Sequence, residues 1–476
     1  MIVYFFASDK IRNVLIFITG LLFYAWGEPF YVCLMLLSTA IDYTAGRLMA
    51  KYDDDNKKRK ICLIVSVCMN VGLLAIFKSS DFLIDSFNGV FGTSITNPVV
   101  LVNKALNSLY PFGLNEKRVE LPIGISFYTF QSMSYTIDLY LRNIKVQKSF
   151  LNFASYVSLF PQIVAGPIVR YEDVANELES RTVNIAKISA GIGLFVKGLA
   201  KKVLLANNIG MVWTQIKAMD YSTISVATAW LGIIAFAFQI YFDFSGYSDM
   251  AIGLGLMFGF HFNENFNYPY CSASVSEFWR RWHISLGTWF RDYVYFPLGG
   301  SRVSSKGRLV FNLFVVWMLT GIWHGASWNY VAWGFFYFVL LTFEKLTGIP
   351  KKLAHTWQRV LYRIFTLLCV MFGWVVFRAP GLKMGLSYIR SMFCLNGNAF
   401  ADTASLNLIG SYALVAVLGI VFCMPVAGFV RKKIPENPKA QLAAEICTRV
   451  ICLVLLAISC SFAVSSSYNP FIYFNF

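Results

Sequence analysis

LVFNLFVVWMLTGIWHGASWNYVAWGFFYFVLLTF, Leu309–Phe343, contains no Asp, Glu, Lys or Arg and a single histidine, His324. As one helix at 1.5 Å per residue it would run roughly 50 Å. The hydrocarbon core of a bilayer is about 30 Å thick. The stretch therefore predicts two helices with a break between them, and Gly321 and Gly325 bracket the place for it. His324 then lies at or near a helix junction, within or close to membrane depth. An ionisable group there marks a functional position, and a neutral imidazole takes a proton from a hydroxyl nucleophile. A hydrogen-bonded packing histidine, or one in the headgroup region, fits the same position equally well.

The rest of the chain repeats this pattern. Of its 476 residues 57% are hydrophobic and only 14% charged, with a mean hydropathy of +0.57; soluble domains carry about 25% charged residues. Nearly charge-free stretches recur at Phe30–Ile41, Ile61–Phe77, Leu121–Ile137, Ser149–Val169, Tyr221–Phe242, Ile364–Phe377, Thr403–Val430 and Val450–Phe476, with weaker ones at Ile188–Ile209 and Ala251–Phe262. These predict an all-α, polytopic membrane protein with roughly eleven spans. Pro161, Gly166 and Pro167 break one of them, as expected of a re-entrant helix lining a cavity. Asn13–Gly27 reads as a retained membrane segment, not a cleaved leader.

The net charge of +16 comes from 41 Lys and Arg against 25 Asp and Glu. The charges sit in short loops between apolar runs, as the positive-inside rule requires, so the partner they point to is membrane lipid and not nucleic acid. Lys51–Lys60, KYDDDNKKRK, reads as cytoplasmic, Ser79–Glu120 as outside, and Arg142–Lys148 and Arg431–Lys433 as cytoplasmic again. The outside loop, at about 40 residues, is below the usual size of an independent domain. The chain reads as one membrane domain, 1–476, whose chemistry happens in or at the bilayer. The ten cysteines include no C-x-x-C pair, which argues against a zinc site or disulfide framework.

Two further stretches carry chemistry. Glu277–Tyr295, EFWRRWHISLGTWFRDYVY, read as one amphipathic helix, puts Trp279, Trp282, Leu286, Trp289, Phe290 and Tyr293 on an aromatic stripe and Arg280, Arg281 and Arg291 on another face. The arginines suit lipid phosphates at an interface or the phosphates of an acyl donor such as coenzyme A. His283, near the stripe, is expected to point inward, either toward a site or equally as a structural hydrogen-bonder. In Tyr241–Asp249, YFDFSGYSD, Asp249 is placed to cap a helix starting near Met250; Asp243 either orients a histidine or lines a polar cavity.

LFYAWGEP (Leu22–Pro29), LPIGISFYTFQSMSY (Leu121–Tyr135), LFPQIVAGPIVR (Leu159–Arg170), YFDFSGYSDMAIGLG (Tyr241–Gly255), FWRRWHISLGTWFRDYVYFPLGGSR (Phe278–Arg302) and GIWHGASW (Gly321–Trp328) stand in the order found in the membrane-bound O-acyltransferases. Together they resemble the alginate O-acetyltransferase branch of that family. The resemblance implies helices around a central tunnel, a catalytic core at about 121–347, His324 as the essential catalytic residue and His283 as a second residue facing the site. Trp323, Arg280, Arg281, Arg291 and Asp243 become candidate substrate-binding residues. It also implies acetyl-CoA or another acyl thioester as donor and a polysaccharide acceptor. A separate extracellular or periplasmic acyltransferase, SGNH hydrolase-like, would be the partner. No metal is implied, because neither histidine has a carboxylate or thiol at ligand spacing. The related branch that moves D-alanyl groups to teichoic acid, and a transporter without bond-making chemistry, are the alternatives. Members of the family usually begin with an additional apolar stretch; only Met1–Ser8 stands in its place here.

Overall fold

A computed structural model describes residues 2–109, 113–164, 166–465 and 470–472. The chain forms two compact units. The first comprises residues 1–189, 254–263 and 323–327. After a one-turn helix at Ile2–Phe6, its helices are α1 (Asp9–Gly27), α2 (Val32–Lys51), α3 (Asn56–Phe91), α4 (Pro98–Leu109), α5 (Ile125–Tyr140), α6 (Phe150–Val157), α7 (Phe160–Ile163) and α8 (Tyr171–Glu179).

α2, α3 and α5 pack on one another. Lipid offers no hydrophobic drive between helices, so polar contacts between them matter. Asp42 on α2 accepts from Ser66 and, at 2.8 Å, from Asn70 on α3, and Ser38 donates to Asn70 Oδ1 at 2.7 Å. α3 starts at Asp55, whose carboxylate accepts the N–H groups of Lys57 and Lys58 at 3.1 and 3.0 Å. It then runs 36 residues and stops at Gly92, φ 66°. The segment expected to be an outside loop from Ser79 is therefore helical as far as Phe91. Ser79–Phe91 contains no proline, and its first helix-stopping glycine conformation is at Gly92.

Ser149–Val169 is broken as expected, into α6 and α7, with Pro161 in the first turn of α7 where a missing N–H costs nothing. Gly124, φ 74°, precedes α5, and a Cβ there would run into the Ile163 carbonyl. Only glycine permits both the left-handed turn and this approach.

The second unit comprises residues 190–253, 264–322 and 328–476. α9 (Ile185–Ala200) continues through a π-helical turn, Lys201–Ala206, into α10 (Asn207–Lys217). α11 (Val226–Met257) runs unbroken through YFDFSGYSD, so Asp249 is not a cap. It lies mid-helix and pairs with Lys201 at 2.7 Å and Lys197 at 3.2 Å. Gly198 and Gly246 meet backbone to backbone, as do Gly191 and Gly253. Their spacing of seven residues on each helix keeps these contacts on one seam.

Glu277–Tyr295 is not one helix. α12 (Val275–Arg281) and α13 (Ile284–Phe290) flank an extended Trp282 and a left-handed His283, φ 46°, and Arg291–Tyr295 forms a π-helical turn. The stripe is still inward: Trp282, Leu286, Trp289 and Phe290 are buried. A neighbouring loop serves the backbone at the break. Asn267 N–H donates to Arg281 O and Ile284 N–H to Asn265 O, both at 2.9 Å.

α14 (Lys306–His324) and α15 (Trp328–Thr347) replace the long charge-free stretch; the expected break is present but starts at Gly325, and Gly321 stays within α14. A Cβ on Gly321 would lie 2.5 Å from Tyr330 O, and one on Gly334 2.5 Å from Trp317 O. α16 (Thr356–Arg378), α17 (Leu382–Met392), α18 (Thr403–Phe422) and α19 (Pro438–Ser465) follow, with a short helix at Ile349–Lys352 before α16 and another at Val426–Lys432 before α19. Among the described residues six helices are long and apolar enough to cross a membrane: α2, α3, α11, α16, α18 and α19. The fold is all-α and polytopic, as the sequence predicts.

Candidate active site

His324 is the last residue of α14 and is buried, with 8% of its surface exposed. Its neighbour Trp323 is held at several points within the first unit. The indole Nε1 donates to Ser126 O at 3.4 Å, and the rings of Phe127 and Phe130 approach it at 5.8 and 5.7 Å. Lys78 on α3 donates to Trp323 O and to Ser126 Oγ, the latter at 3.1 Å, and its ammonium stands 5.3 Å from the indole centre. The His324 ring meets the Trp323 ring edge-on at 5.0 Å. A base in a water-poor, aromatic setting of this kind can take a proton from a hydroxyl, and an imidazole can also act as a nucleophile.

His283 is buried in the second unit, 2% exposed. The rings of Phe244 and Phe266 lie 4.7 and 6.4 Å from it. Its Nδ1 faces Asn265 Oδ1 at 3.2 Å. That same oxygen receives the Ser285 backbone N–H at 3.2 Å and the Ser285 hydroxyl at 2.9 Å, while Asn265 Nδ2 donates to Ser248 Oγ at 3.0 Å. A backbone N–H can only donate, so the amide is oriented with its oxygen toward Ser285. Nδ1 of His283 therefore carries the proton, and Nε2 is its basic nitrogen.

The other candidates are placed differently. Asp243 is buried on α11, pairs with Lys202 and accepts the Ile472 N–H at 2.7 Å; the side chain that orients His283 is Asn265. Arg281 is bound to Glu277 at 2.7 Å. Burial would raise the Glu277 carboxyl, but the Ala273 N–H and Arg281 outweigh it and hold the carboxyl below its usual range. Arg291 lies against Asp292 at 2.7 Å and is exposed, as is Arg280. With the helix broken at His283, the three arginines no longer share one helical face. His261 pairs with Glu177, and His355 caps α16.

Three residues around the two histidines carried no usable mark in the sequence. Asn265 looked like any loop polar residue. Ser126 was one of many hydroxyls. Glu344, on α15, accepts the Val275 and Ser276 N–H groups at 2.8 Å and the Tyr362 hydroxyl at 2.9 Å, so it caps α12 from another helix. Lys78 did carry a signal: it is the first charge after the apolar run Ile61–Phe77, where a solvated loop lysine is the ordinary reading. Among the described residues no group of three or more His, Cys, Asp or Glu is placed to hold a metal ion.

Residues 20–389 match the membrane-bound O-acyltransferase family. The chain belongs to that family. The membrane-bound O-acyltransferase is 35% identical to a probable alginate O-acetylase of Pseudomonas putida, over 99% of this chain and 96% of the relative. It is 30% identical to the peptidoglycan O-acetyltransferase of Helicobacter pylori, over 96% and 90%. A teichoic acid D-alanyltransferase of Bacillus subtilis matches at 29%, over 54% of this chain and 68% of its own. The chain is thus a multi-pass membrane enzyme that transfers acyl groups from an acyl donor to oxygen.

Proposed function

We propose that this O-acyltransferase moves acetyl groups from acetyl-CoA, or a similar acyl thioester at the cytoplasmic face, toward hydroxyls of a cell-surface or exported polysaccharide. The observation that carries the reading is His324, a buried imidazole at the break of a charge-free helix pair, beside an anchored Trp323. In the general-base route its lone pair takes the hydroxyl proton, the oxygen attacks the thioester carbonyl, the C–S bond breaks, and the thiolate takes the proton back as thiol. In the covalent route the imidazole attacks the carbonyl first, the C–S bond breaks and thiolate leaves; the hydroxyl oxygen then attacks the acyl-imidazole, the C–N bond breaks, and the hydroxyl proton ends on the thiolate while the imidazole returns neutral. Acid-quench trapping of acyl-histidine separates the two.

Under this reading the whole chain, with a catalytic core at about 121–347, is one catalytic domain, and His283 offers a second basic nitrogen. Trp323, next to His324, is assigned to substrate contact, and Asp243, paired with Lys202, to the polar surroundings within the second unit. Arg280, exposed and in no ion pair among the described residues, suits the donor's phosphates better than Arg281 or Arg291, whose charge is shared with Glu277 and Asp292. Selecting one hydroxyl on a polymer requires a groove with several placed polar groups. A separate SGNH hydrolase-like acyltransferase outside the membrane would supply it. The test is purified protein in liposomes with radiolabelled acetyl-CoA, scored for thiol release and for acyl transfer with and without the partner. Label taken up from a D-alanyl carrier protein, but not from acetyl-CoA, would favour the teichoic-acid reaction. Efficient, site-selective acylation of glycan by this chain alone would contradict the partner.

A further inference from the structure

α3 sends cations to the ends of two other helices. Near its start Arg59, 2% exposed, donates to Leu139 O at 2.8 Å and Tyr140 O at 3.1 Å, the last carbonyls of α5. Nineteen residues on, Lys78 donates to Trp323 O in the last turn of α14. The final carbonyls of a helix have no partner within it and carry the negative end of its dipole. A cation delivered there satisfies both needs.

Lys78 has an easier alternative. It lies roughly 28 Å along α3 from Arg59, about one hydrocarbon thickness, where a lysine ordinarily extends its amine into the headgroups. Its amine turns inward, onto Ser126 Oγ and the Trp323 carbonyl. Ser126 is in the first turn of α5, and its own carbonyl receives the Trp323 indole N–H. Trp323 is thus fixed at its backbone by Lys78 and at its ring by α5. The peptide that joins it to His324 is the one whose oxygen Lys78 binds.

We propose that Lys78 is a positioning residue for acyl transfer, holding the Trp323–His324 peptide so that the His324 imidazole keeps its working orientation. This rests on His324 as the reacting base or nucleophile. Losing the clamp frees the last turn of α14 while leaving donor binding intact, so its cost falls on kcat. A displacement on the order of 1 Å at a reacting group can cost about 100-fold.

The test measures acetyl-CoA thiol release by the full-length protein in liposomes for Lys78→Met, Lys78→Arg, Ser126→Ala and His324→Ala. Lys78→Met should lower kcat about 10- to 100-fold with KM for acetyl-CoA within about threefold. Lys78→Arg, which keeps the charge and offers two donors to the same two oxygens, should recover most of kcat. Ser126→Ala removes one anchor without touching the charge and should lower kcat by about fivefold. It also reads the clamp if Lys78→Met does not insert. Inactive His324→Ala with wild-type kcat in Lys78→Met, or in Ser126→Ala where Lys78→Met fails to insert, overturns the clamp alone. Active His324→Ala overturns the reading beneath it. A Lys78→Met loss that lies in KM, or that Lys78→Arg does not relieve, also rejects positioning.

Discussion

Asn265→Ala tests whether the tautomer of His283 matters. The substitution deletes four contacts: His283 Nδ1 at 3.2 Å, the Ser285 N–H at 3.2 Å, the Ser285 hydroxyl at 2.9 Å and the Ser248 hydroxyl at 3.0 Å. At about 1 kcal/mol net each, their loss costs up to roughly 4 kcal/mol, less wherever a hydroxyl finds another partner. The imidazole proton is then free to move to Nε2, which removes the base. The expected result is a fall in kcat of about 100-fold, little change in donor KM, and a melting midpoint in detergent lower by several degrees. Asn265→Asp is the control. Its carboxylate accepts from His283 and Ser285, and the Ser248 hydroxyl rotates to donate to it. The Asp variant should exceed the Ala variant in kcat by at least about tenfold. Wild-type kcat in monodisperse Asn265→Ala protein would refute the role of His283. An Asp variant no better than Ala would refute the tautomer reasoning.

His324→Ala should insert normally, since one imidazole hardly alters hydropathy, and should lose acyl transfer; near-normal surface acylation would remove His324 from the mechanism. Arg280→Ala should raise donor KM with an unchanged melting midpoint, whereas Arg281→Ala, which breaks the Glu277 pair, should lower the midpoint and leave KM alone; the reverse pattern would exchange their roles. Glu344→Ala leaves two α12 N–H groups and the Tyr362 hydroxyl without their acceptor, at about 1–3 kcal/mol for each that stays dry. It should destabilise the protein more than Glu344→Gln, and equal midpoints would show that water reaches this cap. Gly334→Val should reduce the yield of folded protein sharply, because a Cβ added there would fall 2.5 Å from Trp317 O; normal yield would mean that α14 and α15 separate readily.

The fold class and two breaks were legible in the sequence, one from the prolines and glycine of Ser149–Val169 and one because hydropathy and length are arithmetic. Thirty-five residues without a fixed charge cannot cross 30 Å of hydrocarbon as one straight helix, and the break falls after His324, starting at Gly325, the second of the two glycines. Where the outcome differed, a tertiary contact outweighed a local signal. YFDFSGYSD looked like a helix start because Ser and Asp favour caps. Lys197 and Lys201 instead neutralise Asp249 in mid-helix, and Gly246 and Gly253 seat the backbone of α9. Glu277–Tyr295 has an unbroken helical pattern of aromatics, yet Asn265 and Asn267 hold its backbone open at His283. Neither asparagine stands near that helix in the sequence, so no window around it could have revealed them.

Both histidines occupy helix breaks, and the physical reason links the site to the residues that were hard to read. Within a continuous helix each backbone group is paired, and little room is left for a substrate to approach an imidazole. A break opens that room but exposes carbonyls and N–H groups, which in a bilayer have no water to turn to. Each break must therefore be served by a polar group from elsewhere in its own unit. Lys78 serves the end of α14 at Trp323 O, and Asn265 with Asn267 serves the gap between α12 and α13. A group that satisfies the backbone at the break also fixes the histidine beside it, because the two are joined by one or two peptide bonds. In this enzyme the search for positioning residues is thus a search for whatever pairs the orphaned backbone next to each histidine, and sequence conspicuousness is a poor guide to it. By the same logic Glu344, which pairs the first N–H groups of α12, acts seven and eight residues upstream of His283 through a stiff short helix. Its removal should tilt that helix and lower kcat by a smaller factor than Asn265→Ala does. A larger factor would place the catalytic leverage in the helix axis and not in the imidazole's hydrogen bond.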